Sequence, residues 1–531
     1  MAAQGAALAR PVLATLAGLA HAAALALPGT GQPLWWLQLA SMAALVALLP
    51  TLPVAGQARR PVLWQAALTG WLFATAWLAG TFWWLFVSLH TYGGLAAPLA
   101  VLAVWALAAF LALYYALACM AFVALGRTGA ARSAIVFVAS WTLAELARDS
   151  WFTGFPWGAA GYAHVDGPLA ALAPWVGVYG MTALAAGLAA GLARMVRPTG
   201  ASRRAGLLPL SAGAALVVLA NTLPLGADGQ GGDRVRNAMG QPVPALAVTL
   251  LQGNIPQDEK FQPGSGVPLA LEWYGQQLDS ARAALVVAPE TALPLLPQQL
   301  PPGYWDALLA RYAAGTQAAL IGLPLGSLQE GYSNSAVGLK PGAAQAYRYD
   351  KHHLVPFGEF IPPLFRWFTN LLNIPLGDFG RGDVGQPSFE WAGQRLAPNI
   401  CYEDLFGDEL AARFRDPAQA PTVFVNLSNI GWFGDTLAID QHLQISRMRA
   451  LEFARPMLRA TNTGATVMID HRGRVTASLP RHTRGVLTVE VEGRTGITPF
   501  AWWASRWGLW PLWLLGAGVV AAAAWLRRRS A

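Results

Sequence analysis

Residues 398–404 read Pro-Asn-Ile-Cys-Tyr-Glu-Asp, and the interpretation of the chain starts from this stretch. The mostly apolar segment at residues 395–400 predicts a short buried strand, and acidic and aromatic residues follow at once. Cys401 therefore stands at a strand end, where a fold holds a nucleophile rigidly and presents it to a cleft. It is one of only two cysteines in 531 residues.

Two other predicted strands end in groups that complement a thiol. Residues 285–290 (Leu-Val-Val-Ala-Pro-Glu) end at Glu290, and residues 347–351 (Tyr-Arg-Tyr-Asp-Lys) end at Lys351. A carboxylate takes a thiol proton, while an ammonium lowers the pKa of the thiol and stabilises an oxyanion. Lysine is also scarce, because only three of the 36 basic residues are lysines, so Lys351 is set apart from general surface charge.

Each of these residues also has an ordinary structural explanation. A single cysteine after a strand is more often part of the core, and Pro-Glu at a strand end is often a turn. Taken from the residues alone, the catalytic and the structural interpretation of the three strand ends stay open side by side.

The composition divides the chain into an apolar part and a part of ordinary globular composition. Overall, 55% of the residues are hydrophobic and only 12% are charged, far from the balance of a typical soluble chain. We predict a transmembrane domain of seven helices at 1–225, a Gly- and Asp-rich linker at 226–245, a catalytic domain at 246–500, and a final transmembrane helix with an arginine tail at 501–531.

The apolar runs are long enough to cross a membrane, which takes about 20 residues each. Eight candidate spans are found at 10–27, 34–53, 63–89, 94–125, 133–149, 168–193, 205–224 and 508–526. Arginines follow the second, fourth, sixth and eighth of them, while the loops at 28–33, 90–93 and 153–167 contain no Lys or Arg. This alternation places both termini in the cytoplasm and residues 226–507 outside, which in a bacterium means the periplasm.

Short apolar strands alternate with helical stretches in the rest of the chain. Strands are predicted at 246–251, 284–288, 318–323, 334–339, 345–350, 394–400, 421–427, 458–462, 465–470 and 485–491, and helices at 268–282, 302–314, 408–415 and 437–454. This alternation is typical of an α/β fold whose sheets are covered by helices.

Several classes of function are disfavoured by the same sequence. The two cysteines are too few for a disulfide framework, and the chain has no CxxC, HExxH or spaced Cys/His cluster, so we predict neither a metal nor another cofactor. The net charge is +8, but many arginines lie in short loops between apolar segments, where they mark topology. No nucleic-acid partner is expected.

Three motifs in order resemble the nitrilase superfamily. They are Pro-Glu-Thr at 289–291, Asp-Lys-His-His-Leu-Val-Pro-Phe-Gly-Glu at 350–359 and Asn-Ile-Cys-Tyr-Glu at 399–403. The resemblance implies a catalytic triad of Glu290, Lys351 and Cys401 on a four-layer α-β-β-α sandwich. It covers residues 246–491.

The whole chain resembles one branch of that superfamily, the bacterial apolipoprotein N-acyltransferases. The motifs that carry this likeness are Gly-Phe-Pro-Trp at 154–157, Gln-Gly-Asn-Ile-Pro-Gln at 252–257, Gly-Trp-Phe-Gly-Asp at 431–435 and Gln-His-Leu-Gln at 441–444. The family implies that Cys401 attacks the sn-1 acyl ester of a phospholipid, usually phosphatidylethanolamine, and becomes a thioester. The α-amine of a diacylglyceryl-cysteine at the N-terminus of an apolipoprotein then takes the acyl group.

The family also implies roles for further residues. Glu290 would be the general base and Lys351 the oxyanion stabiliser, with supporting or substrate-binding roles for Glu359, Tyr402, Glu403, Asn334, Trp432, Phe433, Trp157 and Phe261. Trp157 is equally explained as an aromatic residue of the membrane interface. Two positions depart from the family pattern: Phe261 stands where relatives often carry Trp, and Ile430 stands where they often carry Asp.

Two other functions remain as alternatives. In the first alternative, the chain is a nitrilase-type amidase that is merely tethered to the membrane and acts on small soluble amides. In the second, it is a transporter or scaffold with a decayed enzyme domain. The scarcity of charge within the apolar segments and the intact Glu–Lys–Cys set oppose the second of these.

Overall fold

The computed structural model describes residues 2–50, 59–126, 130–196, 200–223, 232–327, 329–361 and 379–529. They form two compact units. The first, called the helical unit, comprises Met1–Phe86, Ala96–Leu223 and Trp507–Ala531, and the second, called the α/β unit, comprises Val87–Leu95 and Pro224–Arg506. Residues 226–231 of the predicted linker lie outside the described residues, whereas the part from 232 onward belongs to the α/β unit and includes a bridge between Arg234 and Arg494.

The helical unit is built from apolar helices. They are α1 (Ala2–Leu25), α2 (Trp35–Leu48), α3 (Arg59–Thr81), α4 (Ala97–Leu125), α5 (Ala130–Ser150), α6 (Ala173–Val196) and α7 (Gly200–Thr222), together with the helix Trp510–Arg528 near the end of the chain. Among the described residues, four segments have the length and composition of a membrane span: Arg59–Thr81, Ala97–Leu125, Pro168–Met195 and Trp510–Arg528. Three shorter apolar helices occupy Ala9–Leu25, Trp35–Leu48 and Gly206–Thr222.

The predicted span at 63–89 is longer than the helix that the structure forms there. Helix α3 ends at Thr81, and a separate π-helix, Val87–Tyr92, belongs to the α/β unit. The ring of Tyr92 packs edge-on against Trp432, with 5.7 Å between the ring centroids. The apolar run therefore extends past the end of α3, and its last residues, 87–89, belong to the α/β unit.

A buried arginine holds the Gly-Phe-Pro-Trp loop in the helical unit. Arg148, near the end of α5, pairs with Glu145 at 3.2 Å and donates to the carbonyl oxygens of Phe155 (2.8 Å) and Trp157 (2.7 Å). The side chain of Trp157 is buried and packs against Trp84, with 4.7 Å between the ring centroids. The role of Trp157 at a membrane interface or near substrate stays a prediction.

The α/β unit contains two six-stranded sheets in the described part of the chain. Its strands are β1 (Leu246–Gln252), β2 (Leu285–Ala288), β3 (Ala318–Ser327), β4 (Gly331–Leu339), β5 (Tyr347–Asp350), β6 (Phe389–Trp391), β7 (Gln394–Ile400), β8 (Val423–Ser428), β9 (Met457–Thr461), β10 (Val467–Ile469), β11 (Val475–Ser478) and β12 (Gly485–Val491). The order is β12-β1-β2-β3-β4-β5 in the first sheet and β11-β10-β9-β8-β7-β6 in the second. The helices are α8 (Gly266–Ser280), α9 (Tyr304–Ala314), α10 (Gly407–Ala411), α11 (Leu437–Phe453) and α12 (Pro499–Trp507).

Three apolar cores order these elements into four layers. The first lies between the sheets and joins residues such as Leu250 and Val287 to Ile400 and Leu427. The second packs α8 and α9 on the outer face of the first sheet, and the third packs α10, α11 and α12 on the outer face of the second. The α-β-β-α layering expected from the resemblance is present in this unit.

Strand direction brings the predicted site residues to the carboxyl ends of strands that run the same way in each sheet. β2 and β3 are parallel, β4 is antiparallel to β3, and β5 is antiparallel to β4, so β5 runs in the direction of β2. Glu290 and Lys351, which follow β2 and β5, therefore lie on the same side of the first sheet, at the carboxyl ends of these two strands. In the second sheet β7 and β8 are parallel, and Cys401 and Asn429 follow their carboxyl ends.

The ten predicted strands and the four helices predicted among them are confirmed to within a few residues. Two edge strands, β6 and β11, were not predicted. β6 has only three residues, too few to show alternation, and the side chains of β11 are mostly exposed, so it carries no apolar stripe.

Candidate active site

Cys401 is held in a strained backbone conformation directly after β7. Its φ is +52°, in the left-handed region that residues other than glycine rarely adopt, and it begins the short 3₁₀ turn Cys401–Leu405. Asn426 Nδ2 donates to the carbonyl oxygen of Cys401 at 3.2 Å. The turn leaves Cys401 partly exposed at the end of an otherwise buried strand.

Glu290 is buried and accepts hydrogen bonds on both carboxylate oxygens. Oε1 accepts from Asn334 Nδ2 (2.7 Å) and Lys351 Nζ (3.3 Å), and Oε2 accepts from the backbone N–H of Asn429 (2.8 Å). Burial alone raises the pKa of Glu290, but the ammonium groups of Lys351 and Lys260 and the amide of Asn334 outweigh burial and hold this pKa below its ordinary value. Glu290 is therefore an ionised carboxylate at neutral pH.

Lys351 lies between two carboxylates. Its Nζ is 2.9 Å from Glu359 Oε1 and 3.3 Å from Glu290 Oε1, and its side chain is almost fully buried. Burial lowers the pKa of Lys351, but the charges of Glu290 and Glu359 outweigh burial and raise this pKa above the ordinary value. Lys351 thus stays cationic and is suited to stabilising negative charge, not to taking a proton.

The pKa of the Cys401 thiol is set by opposing effects. Lys351 lowers this pKa, as the sequence predicts for a neighbouring ammonium, but burial, followed by the negative charge of Glu290, outweighs Lys351 and raises the pKa to about 12. Cys401 is consequently a neutral thiol at rest. A nucleophile of this kind needs a base that removes its proton during attack, and the ionised Glu290 has the charge that this role requires.

Glu403 ties the cysteine strand to the lysine loop. Its carboxylate is 3% exposed and accepts from the backbone N–H groups of Ile400 (2.6 Å), His352 (2.6 Å) and His353 (3.3 Å) and from the hydroxyl of Tyr349 (2.7 Å). One side chain thereby fixes the residue before Cys401 relative to the residues after Lys351. Its role is to position the site.

A buried polar cluster behind the nucleophile was missed by sequence reasoning. Asp404 Oδ1 contacts His442 Nε2 at 2.7 Å, and Arg459 Nη2 donates to His442 Nδ1 at 2.8 Å. Because an arginine only donates, Nδ1 accepts, and the proton of His442 is on Nε2 and directed at Asp404. Asp404 ends the stretch at 398–404 and His442 lies in the motif at 441–444, but no periodicity in the sequence connects the two residues.

The remaining predicted residues differ in whether they contact the site and in how far they are exposed. Asn334 and Glu359 meet at the site, since Asn334 Nδ2 donates to Glu359 Oε1 at 2.8 Å. Tyr402 is buried against Phe406, with 5.3 Å between the ring centroids. Phe261 is 51% exposed and Trp432 is 36% exposed, while Phe433 is partly buried.

Two family models match the chain in succession. Residues 18–191 match the apolipoprotein N-acyltransferase N-terminal domain, and residues 247–499 match the carbon-nitrogen hydrolase family. A protein of Verminephrobacter eiseniae strain EF01-2 with the name apolipoprotein N-acyltransferase is 62% identical over 93% of this chain and 92% of its own length.

The chain belongs to the apolipoprotein N-acyltransferase family. Other members of the family agree with this assignment over nearly the whole length. One from Ralstonia nicotianae is 45% identical over 97% of this chain and 93% of its own length, and one from Bordetella bronchiseptica is 43% identical over 98% and 97%. Family membership makes the chain an acyltransferase with a nitrilase-type domain.

The charge of Glu290 predicts separate effects on the thiol pKa and on turnover. In the Glu290→Gln variant the thiol loses a negative neighbour, so the pKa of Cys401, measured from the ultraviolet absorbance of its thiolate, falls. Acyl transfer should nevertheless fall by roughly 100-fold or more, because no base takes the thiol proton. An unchanged or higher pKa of the Cys401 thiol in the variant would contradict the assignment of Glu290 as the charge that raises this pKa.

The bridging position of Glu403 predicts a loss of both stability and activity in the Glu403→Gln variant. An amide has one acceptor oxygen and cannot serve donors on both of its polar atoms, so some of the buried N–H groups lose their partner at about 1–3 kcal/mol each. We expect a lower melting temperature in detergent and a lower rate of acyl transfer, because the residue before Cys401 is no longer fixed relative to the loop after Lys351. Glu490→Gln, an exposed position on β12, is the matched control and should change neither quantity.

Proposed function

We propose that this chain transfers an acyl chain from a membrane phospholipid to the N-terminal amine of diacylglyceryl-cysteine in apolipoproteins, through a thioester on Cys401. The observation that carries the proposal is the meeting of an ionised carboxylate, a cationic lysine and a neutral thiol at the strand ends after β2, β5 and β7. The family supplies the class of substrate, and phosphatidylethanolamine is the proposed donor.

The first step loads the enzyme. The sulfur of Cys401 attacks the carbonyl carbon of the phospholipid ester while Glu290 takes the thiol proton. Lys351 and a backbone N–H after Cys401 stabilise the oxyanion of the tetrahedral intermediate. When the ester C–O bond breaks, Glu290 returns the proton to the leaving alkoxide, and the lysophospholipid departs.

The second step discharges the thioester. The uncharged α-amine of the apolipoprotein attacks the thioester carbon, and Glu290 takes a proton from its nitrogen. Lys351 again stabilises the oxyanion. The C–S bond then breaks, the amide forms, and the proton passes from Glu290 to the sulfur of Cys401, so that the resting thiol is restored.

The helical unit favours lipid substrates over small soluble amides. Both proposed substrates reside in the membrane, and an enzyme for soluble amides would have no use for several long apolar helices. We further propose the full arrangement of eight spans, with both termini cytoplasmic and the α/β unit in the periplasm of a bacterial inner-membrane protein. The alternation of arginine-rich and arginine-free loops supports this topology.

The two-step mechanism predicts an acyl-enzyme that can be isolated. Purified full-length protein incubated with phospholipid alone should gain the mass of one fatty acyl group on the peptide that contains Cys401, and neutral hydroxylamine should remove it. A diacylated lipopeptide with a free α-amine should discharge the loaded enzyme. Mass spectrometry measures both steps.

Matched variants and substrates decide between the candidates. Cys401→Ser should give no hydroxylamine-sensitive adduct, whereas Cys119→Ser, at the buried second cysteine, should load as the wild type does. Product that forms only when both substrates are present, without any trapped adduct, would favour direct transfer. Hydrolysis of a small amide without loading by phospholipid would favour the tethered amidase.

The topology predicts opposite locations for two reporter fusions. Alkaline phosphatase fused at about residue 235 should be active, because that position is proposed to be periplasmic, and the same reporter at the C-terminus should be inactive. Green fluorescent protein provides the reverse readout at each site. The same location for both fusions would contradict an odd number of membrane crossings between them.

A further inference from the structure

A second lysine is buried at the site without any assigned role. Lys260 follows β1, is 1% exposed, and its Nζ donates to the backbone carbonyl oxygen of Glu290 at 3.0 Å. The ring of Phe261 lies 5.8 Å from the same Nζ. Two of the three lysines of the chain therefore converge on Glu290 from different loops.

The charge balance shows what this second cation does. Glu290 and Glu359 contribute two negative charges around Lys351, so these three groups alone carry a net charge of −1 in a buried place. An uncompensated buried charge is costly, and such a site would relieve the cost by protonating a carboxylate. With the positive charge of Lys260, the net charge of the four groups is zero, so neither carboxylate has to be protonated to avoid a buried net charge.

We propose that Lys260 is a positioning residue whose positive charge keeps Glu290 ionised. Its charge thereby sets the pH below which the rate of acyl transfer falls. This inference rests on the proposed function of Glu290 as the base. A simple tether of the loop after β1 would require only the hydrogen bond from Nζ to the carbonyl oxygen, and a neutral donor would serve for that.

The electrostatics of the surrounding groups agree with the proposal. Glu290 faces Lys351 after β5, Lys260 after β1, Asn334 on β4, Asn429 after β8 and the thiol of Cys401, and of these only the two lysines are cationic. Burial lowers the pKa of Lys260 to about 8, against the raising effects of Glu290 and Cys401, so the side chain is still mainly cationic at neutral pH.

The sign of the expected shift follows from the charge. The folded-state pKa of Glu290 is lowered by the two ammonium groups, so loss of the Lys260 charge raises this pKa. The acidic limb of the pH profile of kcat/KM, where Glu290 becomes protonated, then moves to higher pH. A shift of one unit corresponds to about a tenfold loss of rate on that limb and little loss on the plateau.

The test compares the pH dependence of Cys401 loading in variants of the full-length protein. Lys260→Met removes the charge at nearly constant length, Lys260→Gln removes the charge but keeps an N–H donor, and Lys260→Arg keeps the charge. We expect the acidic limb of kcat/KM for phospholipid to move by about one pH unit in the first two variants and to be restored in the third. Lys340→Met is the matched control, because Lys340 also donates to a glutamate carbonyl oxygen, that of Glu390, at 2.9 Å.

Each outcome decides the proposal. A uniform loss at all pH values, or an unchanged profile in a folded variant, overturns it, and Lys260→Gln replaces Lys260→Met if the melting temperature shows that the methionine variant does not fold. If the wild type never loads with phospholipid, the proposed function fails, and the ionisation of Glu290 then judges Lys260 independently. In pH-difference infrared spectra, the carboxyl band that is absent from Glu290→Gln should titrate at higher pH in Lys260→Met than in the wild type. An unmoved titration of this band overturns the charge effect.

Discussion

The buried ion pairs of Lys351 with Glu290 and Glu359 are the interactions on which the site depends. Removing one partner from a buried pair leaves an uncompensated charge at a cost of about 3–5 kcal/mol, so the three side chains require one another. Their mutual charges also determine the chemistry, since they keep Glu290 ionised and Lys351 cationic. The same desolvation leaves the thiol of Cys401 protonated, so the proposed mechanism assigns the base and the nucleophile to different residues.

A rigid backbone complements these charges. Cys401 occupies the left-handed region, and such a conformation persists only where the surroundings enforce it. Glu403 provides part of this constraint by accepting hydrogen bonds from both the strand before Cys401 and the loop after Lys351. Asn426 provides another part through the carbonyl oxygen of Cys401. Reacting groups that are held in this way need little reorganisation during the reaction.

The order of the strands is what makes distant segments meet. Lys351 lies 61 positions after Glu290, and Cys401 lies another 50 positions along the chain. Each of them nevertheless follows the carboxyl end of a strand, β2, β5 or β7, on the side of its sheet where the site lies. Neighbouring loops contribute to the same site, since Asn429 after β8 and Lys260 after β1 both donate hydrogen bonds to Glu290. The site is therefore a property of two packed sheets and not of any single motif.

The sequence by itself determined the strands, the division into an apolar and an α/β part, and the strand-end positions of Glu290, Lys351 and Cys401, because apolar periodicity and chain order are local properties. It did not determine the edge strands β6 and β11, whose few or exposed residues carry no periodic signal. It predicted that Lys351 lowers the thiol pKa but not that burial and Glu290 outweigh this effect, since a motif shows which groups are near but not how deeply they are buried. Only the tertiary structure decided that balance, together with the partners of Lys260, Glu403 and His442, because desolvation and charge act through space between segments that are remote in sequence.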